Sequence, residues 1–300
     1  MANSRFIRDT GLTVRMTTVM FLLGAGFVTL VVVLMYALPG YAIFIGIAGL
    51  GVAFYQWWSS DKLAMRAMRA REVTPEEAPE LHGMIDRLCA MADMPKPRVG
   101  VADLDIPNAF ATGRSPNRAV VCVTTGILGK LTAEELEGVL AHELSHVAHR
   151  DVLVMTLASS AGIIAGMLTR GAAWGGFGLA RRNNDGGISV LAAVLISLVV
   201  YAISFVLMRL LSRYRELCAD RAAAYLTLRP QALASALQKI TGEIAAIPQK
   251  DLRANQAMNA FFIAPAISGA SLKTLTSTHP SLEQRLEQLA RIQAELSRPS

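Results

Sequence analysis

The chain has 300 residues, enough for two small domains or one large one. It is 53 % hydrophobic with a mean hydropathy of +0.39, and its charged fraction of 17 % falls short of the roughly 25 % usual in soluble domains. The net charge of +6 would suit a nucleic-acid binder, but the basic residues flank apolar runs, which points to membrane topology and to no nucleic-acid partner.

Residues 1–15 are polar and carry Arg5, Arg8 and Arg15. No charge follows from Met16 to Ser60, a stretch too long for one span of about 20 residues. Pro39-Gly40 divides it into 16–38 and 41–58, so 16–60 reads as a transmembrane hairpin rather than a cleaved signal peptide. Trp57-Trp58 suits an interfacial anchor. Lys62, Arg66, Arg69 and Arg71 follow, whereas the Pro-Gly tip has no cation. The positive-inside rule then places the N-terminus and the next segment in the cytoplasm.

Residues 61–150 read as the first part of a soluble domain. Glu80–Met91 is patterned as an amphipathic helix, and RVGVAD and AVVCVTT as strands, with RSPNR as turn chemistry. Leu131–Arg150 reads as a helix with Thr132 as N-cap, Glu135 completing a capping box, and Leu136, Val139, Leu140 and Leu144 as its buried stripe. Residues 151–208 read as a second apolar helix pair, 152–169 and 188–208, joined by GGFGLARRNNDGG. Arg181 and Arg182 in that linker weigh against an outside loop, and a helical pair packed on the soluble domain is the competing reading. An even number of spans returns residues 209–300 to the compartment of 61–150. Helices are expected there over Ala219–Leu228, Pro230–Ala246 and Ser281–Leu296. Cys89, Cys122 and Cys218 form no CxxC pair and read as buried small hydrophobes.

Chemistry concentrates at His142-Glu143-Leu144-Ser145-His146. Positions i and i+4 share one helix face, so two imidazoles can bind one tetrahedral Zn²⁺ while Glu143 acts as base toward water. His149 lies on that face too, but seven residues from His142 is about 10 Å along an unbroken helix. The metzincin pattern also fails, with His149 where Gly should stand and Val152 where His should stand. His149 therefore reads as a polar neighbour. Five glutamates follow it; Glu216 is the best third ligand, with Asp220 at i+4 placed to orient a ligating histidine. One zinc per chain is expected, preferred over manganese or cobalt because a His₂Glu set suits it.

The chain closely resembles the HtpX-type membrane zinc endopeptidases, gluzincins related to the CAAX prenyl proteases. The apolar hairpin, IPNAFATGR (Ile106–Arg114), AHELSHVAHRD (Ala141–Asp151), RELCADRAAA (Arg215–Ala224) and THPSLEQRLEQL (Thr278–Leu289) carry the resemblance. It implies a mainly α integral membrane protein with a small β-sheet, a zincin-like (gluzincin) catalytic domain and about four transmembrane helices. It implies His142, His146 and Glu216 as ligands and Glu143 as base. It also implies a multi-pass enzyme of the bacterial plasma membrane, with catalytic domain and both termini cytoplasmic. Its substrates would be damaged membrane proteins and unfolded polypeptides, cut under stress, and its partners the lipid bilayer and other membrane quality-control proteases.

Asn108, Ala109 and Phe110 would lie on an edge strand beside the cleft and bind extended substrate. Asn108 would hold a substrate carbonyl or serve as a turn residue after Pro107. His279 would stabilise the oxyanion or simply cap the next helix. Arg285 would pair with a site carboxylate or face solvent, and Tyr201 and Tyr214 are further possible donors to the oxyanion. The competing function is an idle zinc-containing scaffold or chaperone, against which the intact Glu143 counts, since a structural site needs no base. A prenyl-protein protease shares the chemistry but is expected to have more spans around a chamber.

Overall fold

The structure is a computed structural model, and it describes residues 10–37, 42–151, 155, 186–246 and 279–298. The chain divides into two compact units, one of Met1–Leu12, Ser59–Val152 and Ser212–Ser300, the other of Thr13–Trp58 and Leu153–Leu211.

The second unit contains α1 (Thr10–Ala37, from Thr13 on), α2 (Ala42–Trp58) and most of the apolar half of a long helix introduced below. Helix α1 starts six residues before the apolar run and takes in Arg15. Large apolar side chains on these helices stay exposed, among them Phe21 at 74 % and Phe44 at 72 %. The expected span 152–169 lies outside the described residues, apart from residue 155. Among the described residues one segment, Leu195–Thr227, is long and apolar enough to cross a membrane, with a mean hydropathy of 2.2 over its most apolar window.

The first unit begins with α3 (Ser60–Ala67) and a short strand β1 (Ala70–Glu72), neither of which the basic stretch after Trp58 advertises. Then come α4 (Pro79–Ala92), β2 (Arg98–Ala102), β3 (Ala109–Thr112), β4 (Val120–Thr124), α5 (Thr125–Lys130) and α6 (Ala133–Ala148). The four strands form one mixed sheet in the order β1-β2-β4-β3. β2 and β4 run parallel, while β1 and β3 pair antiparallel to their neighbours. β4 lies between two strands, and all five of its residues are buried, which explains the continuous apolar run VVCVT. Among the described residues β3 is an edge strand.

Helix α6 starts as its sequence requires. The Thr132 side chain accepts from Glu135 N, and the Glu135 carboxylate accepts from Thr132 N, closing the capping box. Leu136, Val139, Leu140 and Leu144 are all buried, each worth about 1.5–3 kcal/mol of burial. They hold α6 against β3, β4 and α8 (Pro230–Ala246). At Gly138 a Cβ would come within 3.2 Å of the Leu233 backbone, so a glycine allows α6 and α8 to touch there. α8 in turn packs on α9 (Leu282–Leu296).

One boundary differs from the sequence reading. The expected apolar span 188–208 and the expected separate helix Ala219–Leu228 are parts of one helix, α7 (Gly186–Thr227). No Pro or Gly falls between Met208 and Ala219, and the intervening Arg, Leu and Glu residues are good helix formers, so nothing ends the helix where the hydropathy changes. The three cysteines are buried and form no disulfide, as expected. Burial pushes the Cys122 thiol up to about 12 and is the main cause that pushes Cys89 up to about 11, so neither offers a thiolate.

Candidate metal centre

Helices α6 and α9 and the part of α7 from Ser212 on, all of the first unit, supply the site. His142 and His146, one turn apart on α6, meet ring edge to ring face with centroids 4.9 Å apart. Their Nε2 atoms are 3.3 Å apart. Glu216 of α7 brings Oε2 to 3.6 Å from His142 Nε2 and Oε1 to 3.5 Å from His146 Nε2. Zinc bonded at about 2.0–2.1 Å in tetrahedral geometry separates its donor atoms by roughly 3.3–3.4 Å. The Nε2–Nε2 separation matches that, each imidazole has one Glu216 oxygen within a few tenths of an ångström of it, and one ligand atom from each residue lies within 4.8 Å of the others, so these residues fit such an ion. Among the described residues, this trio forms the one group of histidine, cysteine and carboxylate side chains arranged to hold a metal.

Each ligating imidazole is held from behind. His142 Nδ1 lies 2.9 Å from Asp220 Oδ1, and His146 Nδ1 lies 2.6 Å from Asp151 Oδ2. These contacts leave the two Nε2 atoms for the metal and fix each ring plane. Each aspartate is itself neutralised. Arg285 of α9 donates through Nε and Nη2 to both oxygens of Asp220, at 2.7 and 2.6 Å. Arg215 Nε stands 2.8 Å from Asp151 Oδ2. Asp220, Asp151 and Arg285 are each 3 % exposed or less, so these are buried charges that only pairing makes tolerable.

Helix geometry explains the arrangement on α7. Glu216 and Asp220 are four residues apart on one face, so the ligand and the group orienting His142 arrive together. On α9, the Ser281–Gln284 capping box fixes the helix start. Gln288 Nε2 donates to Leu217 O at 2.8 Å and ties α9 to α7. This docking buries Arg285, settling the sequence alternative of a solvated face against it. Beyond α6, Arg150 adopts a left-handed backbone with φ 56, a conformation that costs a non-glycine residue roughly 1–2 kcal/mol. That step turns the chain so that Asp151 reaches back to His146.

Glu143 lies on α6 next to His142 and is 5 % exposed. Burial raises its pKa above the ordinary carboxylate value, against the pull of the neighbouring His142 and His146. Its Oε2 accepts a hydrogen bond of 2.9 Å from Ala111 N of β3. Thr124 N donates to Asn108 O, so alternation along an antiparallel pair turns the backbone groups of Phe110 and Thr112 toward β4, and those of Ala109 and Ala111 away from it. The base therefore sits on the side of β3 away from β4.

The other sequence candidates fall as follows. Asn108, Ala109 and Phe110 are buried at 0, 1 and 4 %, backbone included, so none of the three meets solvent. Asn108 N donates to Thr124 Oγ1. His279 Nδ1 lies 3.3 Å from Glu216 Oε2, at the metal group itself. His149 is the C-cap of α6 and stands outside the ligand trio. Tyr201 belongs to the other unit. Sequence reading gave no role in the site to Asp151, Arg215 or the Ala111 amide. Arg215 beside Glu216 and Asp151 five residues after His146 were both in plain view. Neither spacing announces a pairing until the left-handed turn at Arg150 is known.

Residues 75–293 match the family model described as Peptidase family M48. The chain belongs to peptidase family M48. It is a metallopeptidase with a His142, His146 and Glu216 site. It is 57 % identical over 295 residues to Protease HtpX homolog 1 of Streptomyces coelicolor, covering 98 % of this chain and 96 % of that protein. It is 49 % identical over 292 residues to a protease HtpX homolog of Moorella thermoacetica, covering 96 % of both. It is 42 % identical over 248 residues to one of Pyrococcus furiosus, covering 81 % of this chain and 83 % of that protein. Among solved structures, S. mikatae Ste24p matches with a TM-score of 0.55 at 17 % identity. That match covers 92 % of this chain but 65 % of Ste24p, and it shows that this M48 chain has a Ste24p-like fold.

Proposed function

We propose that this M48 metallopeptidase is a multi-pass zinc endopeptidase of the bacterial plasma membrane. It cuts damaged membrane proteins and unfolded polypeptides on the cytoplasmic side, under stress. The observation that carries this reading is Glu143, buried beside the His142–His146–Glu216 trio and hydrogen-bonded to the Ala111 amide of β3. A structural metal site needs no such carboxylate. The exposed apolar side chains of α1 and α2, and the cations flanking that hairpin, support a lipid-embedded unit with cytoplasmic N-terminus. The zincin-like catalytic part and the C-terminus share that side if four spans cross.

When bound by His142, His146 and Glu216, zinc supplies Lewis-acid polarisation of the scissile carbonyl and of water. Glu143 accepts the proton of the attacking water and delivers it to the leaving amine. An extended peptide follows the β3 stretch Asn108, Ala109 and Phe110 and binds by backbone pairing on the side of the strand away from β4. Backbone pairing reads no side chain, which suits substrates defined by being unfolded. His279, next to Glu216, donates to the oxyanion as it forms.

The test compares wild type with Glu143→Gln, purified in detergent without chelator. Bound zinc is measured per chain, and cleavage is followed on casein and on an unfolded membrane protein. About one zinc in both, with cleavage in wild type alone, is the expected result. Zinc in both with cleavage in neither would make the chain a scaffold.

A further inference from the structure

We infer that Asp151 and Arg215 are a positioning pair for His146, the counterpart of Asp220 and Arg285 behind His142. The inference rests on the metal site proposed above and extends it to two residues outside the ligand set.

The geometry is specific. Asp151 Oδ2 is 2.6 Å from His146 Nδ1 and 2.8 Å from Arg215 Nε, and Arg215 Nη2 is 3.5 Å from the same Nδ1. One carboxylate oxygen thus faces both the imidazole and the guanidinium. Asp151 is 1 % exposed, and the Arg215 side chain is 11 % exposed. Had α6 continued regularly, Asp151 would have been rotated by about 140° from His146 around the helix and set about 7.5 Å further along it. The left-handed backbone of Arg150 replaces that outcome with a turn directed at His146. A non-glycine residue held in a disfavoured conformation, next to a buried acid aimed at a ligand ring, is the pattern expected where strain serves a site.

The pairing also links two parts of the chain that are distant in sequence. Arg215 precedes Glu216 on α7, so the side chain holding the back of His146 and the carboxylate facing its Nε2 come from neighbouring residues. Rotation of α7 or displacement of the turn after α6 would disturb both contacts together. Asp151 and Arg215 act through His146 and touch neither substrate nor reacting atoms.

The test uses the full chain carrying Glu143→Gln, which removes self-cleavage. Zinc affinity is measured by chelator competition, and the metal-free protein is melted separately. Asp151→Asn keeps the shape and removes the charge. The expected loss is about 10- to 100-fold in zinc affinity, the usual effect of removing an outer partner of a ligating histidine. The melting temperature of the metal-free protein should change little by comparison. Co²⁺ in place of zinc should show altered visible bands in Asp151→Asn, because the ring that supplies one donor is no longer held. If Asp151→Asn also lowers the metal-free melting temperature, Arg215→Lys and Arg215→Met decide. Lysine, which keeps the charge, should restore most of the affinity that methionine loses. Affinity of Asp151→Asn within about twofold of its parent, or equal losses in the lysine and methionine variants, would overturn the inference. A parent that binds no zinc would instead overturn the proposed metal site.

Discussion

Replacing Arg285 by Met is the sharpest test of the electrostatic reasoning. Arg285 is 3 % exposed and donates to both oxygens of Asp220, which is 0 % exposed. Methionine fills the space but removes the charge, leaving a carboxylate in a site that water does not reach. Breaking a buried pair from one side costs about 3–5 kcal/mol, because the surviving charge is stranded. At about 2–4 °C per kcal/mol for a domain of this size class, melting should fall by roughly 6–20 °C. The double variant Arg285→Met with Asp220→Asn removes both charges. It should recover much of the loss, giving a coupling of at least about 2 kcal/mol in the four-variant cycle. Urea unfolding in detergent on the Glu143→Gln chain, with and without zinc, supplies the numbers. A loss below about 1 kcal/mol in Arg285→Met, or strict additivity in the double variant, would refute the idea that this pair is buried and mutually dependent.

Further expectations concern the ligand set, one close backbone approach and acid stability. Glu216→Ala should lose most of the bound zinc while His142 and His146 remain; zinc content equal to the parent by elemental analysis would move the third ligand elsewhere. At Gly126 an added Cβ would sit 2.1 Å from Asp105 O, so Gly126→Ala must shift backbone. A loss of about 1–3 kcal/mol or more is expected in urea unfolding, and an unchanged midpoint would contradict the packing described. Glu135 is buried, which alone would raise its pKa, but Lys239, Ser235 and Thr132 N more than offset this and hold it below the ordinary 4.5. A depressed carboxylate stabilises the fold above its unfolded value. That contribution fades as pH drops toward 4.5 and is lost below the folded value. The stability gap between parent and Glu135→Gln should therefore close in acid; a gap that is constant from pH 7 downward would be the contrary result.

Much of the site was legible in the sequence because it is local. His142 and His146 share a face through helical periodicity, and Glu143 lies beside them by the same rule. Thr132 and Glu135 announce the start of α6 within four residues, and the structure closes that capping box. The i,i+4 spacing of Glu216 and Asp220 likewise needs only one helix. Hydropathy marked the apolar runs at 16–38, 41–58 and 188–208. It could not mark the end of α7, because a helix ends where its backbone is broken and not where its side chains become polar.

What only tertiary structure decided is which distant groups meet. No pattern in THPSLEQRLEQL says that Arg285 turns inward; that follows from α9 docking so that Asp220 needs a cation. Asp151 becomes a partner of His146 only through the backbone turn at Arg150, which no residue type there predicts. The edge position of β3 depends on β2 and β4 pairing parallel across an intervening strand, a choice settled by the whole sheet. The sequence by itself determined the chemistry available, since helical spacing places ligands and base without reference to the rest of the chain. The fold decided which buried charges are paired and which strand lies beside the base, since those depend on surfaces brought together from residues far apart in the chain, 65 positions in the Asp220–Arg285 pair and 104 in the Glu135–Lys239 pair.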